Sequence, residues 1–315
     1  MTKKFDVLVV GELNVDLIMN QLQSVPEVGK EKLAGNMTLA LGSSSAIFAS
    51  NLASLGLKVA FVAKTGNDLF GNFCKDQLMK KGVDTSMLIQ DDALKTGATV
   101  VLNYDEDRAM VTHQGAMKYL GIDDIPNAGL KKAKHLHFSS YFLQPRFKHT
   151  LYKLFKIAKE AGLTTSLDVQ WDPAEEWNFN YKKILPYVDV FLPNECELLK
   201  LTGKDSIEQS IKAINGYAKF NVIKQGKQGS LLCYQNKLIQ KKSFKNNKTI
   251  DAIGAGDSFN AGFILKFIKG FPPEECQVFG NLMGAISTTK AGGTAAFIDY
   301  EQTMKIAKKK FAYEG

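Results

Sequence analysis

Apolar residues follow two different periods along this chain. Phe5 to Val10 is an apolar run broken only by Asp6, the pattern of a strand buried on both faces. After Gly11 the pattern becomes alternating: Leu13, Val15 and Leu17 take one face, and Glu12, Asn14 and Asp16 share the other. Ile47, Phe48, Leu52 and Leu55 then fall at helical spacing behind Ser43, Ser44 and Ser45, with Gly56 as a stop. This predicts a serine-capped helix. Residues 57–68 read as a strand, and 74–82 as a short amphipathic helix ended by Gly82.

Residues 96–112 alternate as two paired strands around a turn at Asp105, Glu106 and Asp107. Together with residues 12–40 they predict a small sheet apart from the main body, placed as a lid. From residue 134 onward strands and helices take turns. Strands are expected at 135–140, 164–169 and 188–193, and helices at 146–161, near 178–185 and at 194–202, followed by strand 220–225 and a hairpin around 231–235. Such alternation builds a largely parallel sheet covered on both faces. No long polar linker, low-complexity tract or internal repeat divides the 315 residues. One main domain is the expectation.

Composition narrows the class. Apolar residues make up 45% and charged residues 23%, which is ordinary globular usage and excludes disorder, collagen and coiled coil as the main architecture. Cys74, Cys196, Cys233 and Cys276 are far apart and form no CxxC pair, so neither a disulfide scaffold nor a zinc site is expected. The first apolar run is too short for a signal peptide, and no stretch approaches a membrane span. A cytoplasmic protein without membrane contact is the expectation. The net charge of +8 raises the question of nucleic acid, but the lysines are spread along the chain, and their short runs carry no interleaved aromatics. No nucleic-acid partner is expected. A basic field does favour a small anionic ligand such as a nucleotide.

The strongest candidate chemistry lies at 248–269. Thr249 to Ile253 lead into Gly254, Ala255, Gly256 and Asp257, and Phe259, Phe263, Ile264, Phe267 and Ile268 give the following helix an apolar face. Small residues let a bulky group approach the backbone, while the unpaired first-turn N–H groups and the helix dipole attract negative charge. A carboxylate in such a turn would repel phosphate unless it takes a proton from a hydroxyl attacking that phosphate. Asp257 is therefore a general-base candidate; from the residues alone, a plain helix-capping role stands equally open. Neither GxxxxGK[ST] nor GxGxxG after a strand occurs, which removes the commonest alternative nucleotide sites.

These segments resemble the ribokinase-like, PfkB-type carbohydrate kinase family over nearly the whole chain. Residues 251–257, DAIGAGD, resemble its DTxGAGD signature, with Ala252 where Thr is usual. GELNVD at 11–16 resembles its first strand with a substrate-binding Asn-x-Asp, and residues 41–56 its glycine-rich stretch and helix. Asn194 and Glu197 match its NxxE motif, 222–229 its nucleotide-holding strand and turn, and 281–293 its adenine-side helix and loop. The resemblance implies a three-layer α/β sandwich with a mostly parallel central sheet and a β lid. It implies an ATP-dependent kinase acting on a sugar hydroxyl, with Asp257 as base and Gly254, Ala255 and Gly256 forming an anion hole. Asn14, Asp16, Gly42, Ser43 and Asp168 would bind the sugar. Asn194, Glu197, Lys224, Gly226, Gly229 and Asn281 would serve the nucleotide, with Glu197 organising Mg²⁺ through water. On the residues alone, Asn194 and Glu197 also read as a capping box, and a glycine between strands as a turn. Asp251 and the Ile253 carbonyl match positions where some members hold a monovalent cation, which implies a potassium site. A homodimer paired through its lids is implied in the same way.

The chain also departs from the family pattern. Ile47 stands where an Asn is common, Ser43 replaces the second glycine, and the DxNxR stretch has become Asp168, Gln170 and Asp172. The loss of the Arg points away from acidic and phosphorylated sugars, toward a neutral sugar. Two alternatives remain: a nucleoside kinase with the same mechanism, or a sugar- or nucleotide-binding regulator that retains the fold without turnover. Tyr141 and Gln144 are candidates for the pocket or for ordinary loop roles, and the four histidines read as strand or surface residues.

Overall fold

The structure, a computed structural model, describes residues 3–104 and 107–314. In chain order its strands are β1 (Phe5–Val10), β2 (Asn14–Asn20), β3 (Asn36–Leu41), β4 (Val59–Val62), β5 (Lys64–Gly66), β6 (Ile89–Asp91), β7 (Gly97–Tyr104), β8 (Asp107–His113), β9 (Ala133–Ser139), β10 (Thr164–Asp168), β11 (Val190–Phe191), β12 (Phe220–Lys224), β13 (Ser230–Tyr234) and β14 (Lys237–Lys241). The helices are α1 (Ser44–Ser54), α2 (Leu69–Lys80), α3 (Asn127–Lys132), α4 (Leu151–Glu160), α5 (Tyr181–Ile184), α6 (Glu195–Thr202), α7 (Ile207–Ile214), α8 (Ala255–Ile268), α9 (Pro273–Ser287) and α10 (Tyr300–Phe311).

An eight-stranded sheet runs β14-β13-β12-β11-β10-β9-β1-β4, parallel from β4 to β12 and closed by the antiparallel hairpin β13–β14. The unbroken apolar run of β1 follows from covering on both sides. Val7 and Val9 pack with α1, α8 and α9, while Leu8 and Val10 pack with α4 and the α6–α7 pair. A second sheet, β3-β2-β7-β8, joins the segments that flank the first two turns of the chain, with β2 and β7 parallel. Residues 105–106 of the expected turn lie outside the described residues.

Three helices differ from their sequence reading. The one expected over 74–82 begins earlier and runs Leu69–Lys80, because Asp68 caps it by accepting the Gly71 N–H at 2.8 Å. The one expected over 146–161 begins only at Leu151, because Pro145 opens a separate 3₁₀ turn through Phe147. The one near 178–185 shortens to Tyr181–Ile184, because Pro186 cannot continue the hydrogen-bond ladder. Helix α1 is capped by Ser43, whose hydroxyl accepts the Ala46 N–H at 3.0 Å.

Candidate active site

Polar side chains on the α8-facing side of the sheet collect at the carboxyl ends of the parallel strands. Ser139 ends β9, Asp168 ends β10, Lys224 ends β12, and Asn194 follows β11. That end of an open parallel sheet is where diverging loops leave room for a ligand.

The turn into α8 stands over this end. Gly254 is its N-cap, at φ 71°, and a Cβ there would lie 2.6 Å from the Gly293 Cα, so no side chain fits. Asp251 braces the turn: Oδ1 accepts the Ile253 N–H at 2.9 Å and Oδ2 the Gly292 N–H at 2.8 Å. The first-turn amides of Gly256 and Asp257 have no helical carbonyl to satisfy them, whereas Ala255, expected as a third member of the anion hole, already donates its N–H to the Ala252 carbonyl at 3.2 Å. Lys224 Nζ lies 3.7 Å from where a Cβ on Gly256 would stand, adding a cation to the same spot. The cap of α8 is Gly254 rather than Asp257, and the Asp257 carboxylate instead accepts a side-chain hydrogen bond from Gln170 Nε2 at 3.1 Å. The capping alternative for Asp257 is thereby removed.

On the other side, Asn14 Nδ2 donates to Asp16 Oδ1 at 3.1 Å and to Thr99 Oγ1 at 3.0 Å. Gly42 lies directly against this pair, since a Cβ on it would stand 2.2 Å from Asp16 Oδ1 and 2.8 Å from Asn14 Nδ2. The structure thus brings Asn14, Asp16, Gly42 and Ser43 together at the start of α1. Glu12, read from sequence as sharing a face with Asn14 and Asp16, is buried, as is Asn14. The Glu12 carboxylate accepts the Ser45 N–H at 3.2 Å and the Ser45 hydroxyl at 2.5 Å. Burial pushes its carboxyl up, and burial with the nearby Glu12 raises Asp16 to about 6.

A buried polar network lies between the two groups. Asp168 Oδ2 accepts from Lys224 Nζ at 2.7 Å, Asn260 Nδ2 at 2.5 Å and Gln170 Nε2 at 2.9 Å. Burial, then the negative charge of Asp168, raises Asp257 to about 7, although Lys224 pulls it down. Burial alone would lower Lys224, but Asp168 and Glu197 hold it above its ordinary value. The result is a fixed cation beside a carboxyl group poised near neutral pH.

Asn194 and Glu197 form a full capping box on α6: Asn194 Oδ1 accepts the Glu197 N–H at 2.8 Å, and Glu197 Oε2 accepts the Asn194 N–H at 2.8 Å. The capping role is therefore present. Yet Glu197 is buried, and burial plus Asp168 push it up to about 7, so a cation nearby would relieve it. A cleft of about 400 Å³ is lined by Lys224, Gly226, Gly229, Ala255, Gly256 and Asn281, and neither Asn194 nor Glu197 lines it. Asn281 also holds the cleft wall, donating to the carbonyls of Lys241 and Lys242 at 3.3 Å.

Several site features escape sequence reading. Gln170 joins Asp168 to Asp257 across 87 residues of chain. Asn260, three residues after Asp257, could have been found by projecting α8 as a helical wheel. Ile47 does not face the Asn14 and Asp16 pair; its side chain packs on Gly254 and Gly293. Asp172 is turned inward, accepting the N–H groups of Ala174 and Trp177 at 3.0 and 2.7 Å. The Tyr141 hydroxyl donates to the Lys148 carbonyl, and Gln144 Nε2 donates to the Ser139 and Ser140 carbonyls.

A positively polarised glycine turn, a buried carboxyl at its first helical turn and an adjoining cleft define a phosphotransferase-type site. The family model for pfkB family carbohydrate kinases matches residues 4–299, and the chain belongs to that family. It is 27% identical to a 5-dehydro-2-deoxygluconokinase of Lacticaseibacillus casei, covering 100% of this chain and 99% of that protein. It is 28% identical to Fructokinase-1 of Zea mays, covering 96% and 98%. Among solved structures it resembles the ribokinase of Arabidopsis thaliana complexed with ribose and ATP, with a TM-score of 0.82 and 25% identity over 98% of this chain and 99% of that one. The fold is the ribokinase fold, and the chain is a carbohydrate kinase that phosphorylates a sugar.

Proposed function

We propose that the protein transfers the γ-phosphoryl group of ATP to a hydroxyl of a small neutral sugar, with Asp257 as general base. The observation that carries this reading is the Asp257 carboxyl, raised to about 7, at the first turn of α8 and tied through Gln170 and Asp168 to Lys224 of the cleft. The sugar hydroxyl would give its proton to Asp257 as its oxygen bonds to the γ-phosphorus and the bond to the β-phosphate oxygen breaks, releasing ADP. Charge growing on the phosphoryl oxygens would meet the amides of Gly256 and Asp257 and the Lys224 ammonium. Asn14 and Asp16 would receive neighbouring sugar hydroxyls.

The nucleotide would lie along Gly226, Gly229 and Asn281, its phosphates toward α8. Among the described residues no three His, Cys, Asp or Glu converge as a metal cage, so Mg²⁺ would be held mainly by phosphates and water, with buried Glu197 and Asn194 organising that water. When bound, Mg²⁺ neutralises phosphate charge. Each Asp251 oxygen accepts a single backbone N–H, which leaves room for a potassium ion shared with the Ile253 carbonyl.

Residues 1–315 act in this reading as one kinase unit, with the β3-β2-β7-β8 sheet as a lid that excludes water over the sugar. Met37 and Leu39 are exposed two residues apart on β3, and they support pairing of two lids in a homodimer. No helix among the described residues is long and apolar enough to cross a membrane, and the four cysteines are unpaired, which suits a reducing cytoplasm. No arginine stands at position 172 to meet a substrate carboxylate or phosphate, which supports a neutral rather than acidic sugar. Trp171, 46% exposed beside Gln170, favours a second reading, in which an aromatic base stacks there and the acceptor is a nucleoside.

An ADP-release assay over fructose, ribose, 5-dehydro-2-deoxygluconate and adenosine, with MgATP and in KCl against choline chloride, tests the whole reading. We expect turnover of a neutral sugar that rises as pH passes about 7, where Asp257 becomes ionised. Asp257→Asn should lower kcat by about 10²- to 10⁴-fold. Retained turnover in that variant would remove Asp257 as base, and preference for adenosine would move the chain to the nucleoside reading.

A further inference from the structure

The residue that holds Asp257 is in an unusual position. Gln170 lies two residues past the end of β10 with φ 61°, a left-handed conformation that residues with a Cβ rarely adopt. Its Nε2 donates to both Asp168 Oδ2, at 2.9 Å, and Asp257 Oδ1, at 3.1 Å. The loop beyond it is fastened in a similarly costly shape. Glu175 and Trp177 also have positive φ, 53° and 52°. Buried Asp172 ties the loop through two backbone N–H groups, and Trp171 packs edge-on against Trp177 at 5.0 Å between ring centroids. Backbone strain of this kind survives only where the surroundings over-determine it, and it gathers where geometry serves function.

We propose that Gln170 is a positioning residue for the phosphoryl-transfer step: its amide holds Asp257 Oδ1 and thereby aims Oδ2 at the acceptor hydroxyl. This rests on the reading of Asp257 as general base. The surroundings show why aim is needed. Asp168 from β10, Glu12 after β1 and Glu197 from α6 surround Asp257 with negative charge, opposed by Lys224 from β12 and the Ser44 hydroxyl of α1. Lys224 already bonds Asp168 at 2.7 Å, so its charge alone does not set how the Asp257 carboxylate is turned. A neutral amide fixes it without adding charge. Gln170 is also bound to Asp168, which Lys224 and Asn260 already hold, so the orientation of the base is tied to a rigid group at the end of the central sheet.

Three variants test this: Gln170→Gly, Gln170→Asn and Gln170→Glu. Glycine accepts φ 61° freely, so it removes the contact without imposing strain, and its Tm should equal or exceed that of the unaltered protein. Its kcat, on the best acceptor among fructose, ribose, 5-dehydro-2-deoxygluconate and adenosine, should fall about 10- to 100-fold with KM little changed. Asparagine, one methylene shorter, should fall between the two. Glutamate, which adds another carboxylate, should lose most and move the acid limb of the kcat/KM profile to higher pH.

A second measurement needs no substrate. With aspartate labelled at the side-chain carboxyl by ¹³C, the resonance missing from Asp257→Asn reports this group alone. Its titration midpoint should rise by about one to two units in Gln170→Gly, the effect of losing one hydrogen bond to a charged group. An unchanged midpoint with unchanged kcat overturns the proposal. A lower Tm with unchanged kcat also overturns it, since that pattern describes a purely structural residue. If Asp257→Asn keeps full turnover, the general-base reading fails instead. If Asp257→Asn is inactive while Gln170→Gly is not, only the positioning role fails.

Discussion

The two ends of the site are built from different materials. At the phosphoryl end, the turn from Asp251 to Asp257 offers backbone amides, and its critical feature is a shape that only glycine permits at Gly254. At the end proposed for the sugar, Asn14, Asp16 and Asp168 are side chains held in place by other side chains, with Asn14 bonded to Asp16 and Thr99 and Asp168 bonded to Lys224 and Asn260. The phosphoryl group is the same whatever the acceptor, so a rigid backbone cradle suffices for it. An acceptor must be told apart from its relatives, and interlocked side chains can be changed one at a time to do so. The first end should therefore fail through steric change, and the second through loss of charge balance.

The largest effect expected from breaking that balance is at Lys224. Asp168 is fully buried and Lys224 is nearly so. In Lys224→Met the Asp168 carboxylate loses its cation while still cut off from water, at a cost of about 3–5 kcal/mol in unfolding free energy. Urea denaturation at pH 8 measures this, and adding Asp168→Asn should recover most of the loss, because a buried amide needs no counter-charge. A single variant as stable as the unaltered protein would mean that the sugar end is not held by its charges. Kinetics sharpen the contrast: Lys224→Met should also lower kcat, because the ammonium lies beside Gly256.

Next in size is the response to acid. Behind Asp168 on the same sheet face, His135 bonds Thr164 and Ser166 at 2.8 and 2.7 Å, and His137 bonds Ser166 at 2.7 Å and stacks on Phe48. Burial pushes His135 down to about 3 and His137 well below the usual range. Both are therefore neutral in the folded protein, whereas the unfolded chain takes up protons below about pH 6.5. On their account the unfolded state binds more protons, so each histidine lowers stability by about 1.4 kcal/mol per pH unit as pH falls below about 6.5. Asp257, Glu197 and Asp16, raised to about 7, 7 and 6, act in the opposite sense over the same range, so the test is the difference in slope between the unaltered protein and His135→Gln, read from denaturation midpoints between pH 7 and 5. His135→Gln should lack one histidine's share, and identical slopes would contradict the buried neutral pair.

The division between backbone and side-chain construction also explains what the sequence made legible. The phosphoryl end could be read because it is local: a short apolar run, small residues and a helix follow one another within residues 249–268. The alternation at residues 13–17 likewise placed Asn14 and Asp16 on one face. The sugar end could be read only in part. Gln170 meets Asp257, and Asn260 meets Asp168, through contacts that span 87 and 92 residues, and no periodicity reports such a meeting. Glu12 obeys the alternation, but it precedes β2 and its partner Ser45 lies 33 residues away at the start of α1, a meeting that periodicity does not report. The histidines of β9 looked like ordinary strand residues, since Ser166, their shared partner, lies on the next strand.

Ile47 lies where the two ends touch, and it offers the smallest and most discriminating test. Its position on α1, four residues after Ser43, suggests a sugar contact. Its methyl groups instead rest on Gly254 and Gly293, behind the anion turn. Ile47→Val removes one methylene from a fully packed site and should cost about 1 kcal/mol of stability. If Ile47 serves the turn, the variant should lower kcat by a few fold while leaving KM for the sugar unchanged. If it serves the acceptor, KM should move and kcat should not. The second outcome would blur the line between the two ends, because a single side chain would then be reading the sugar through the wall of the phosphate cradle.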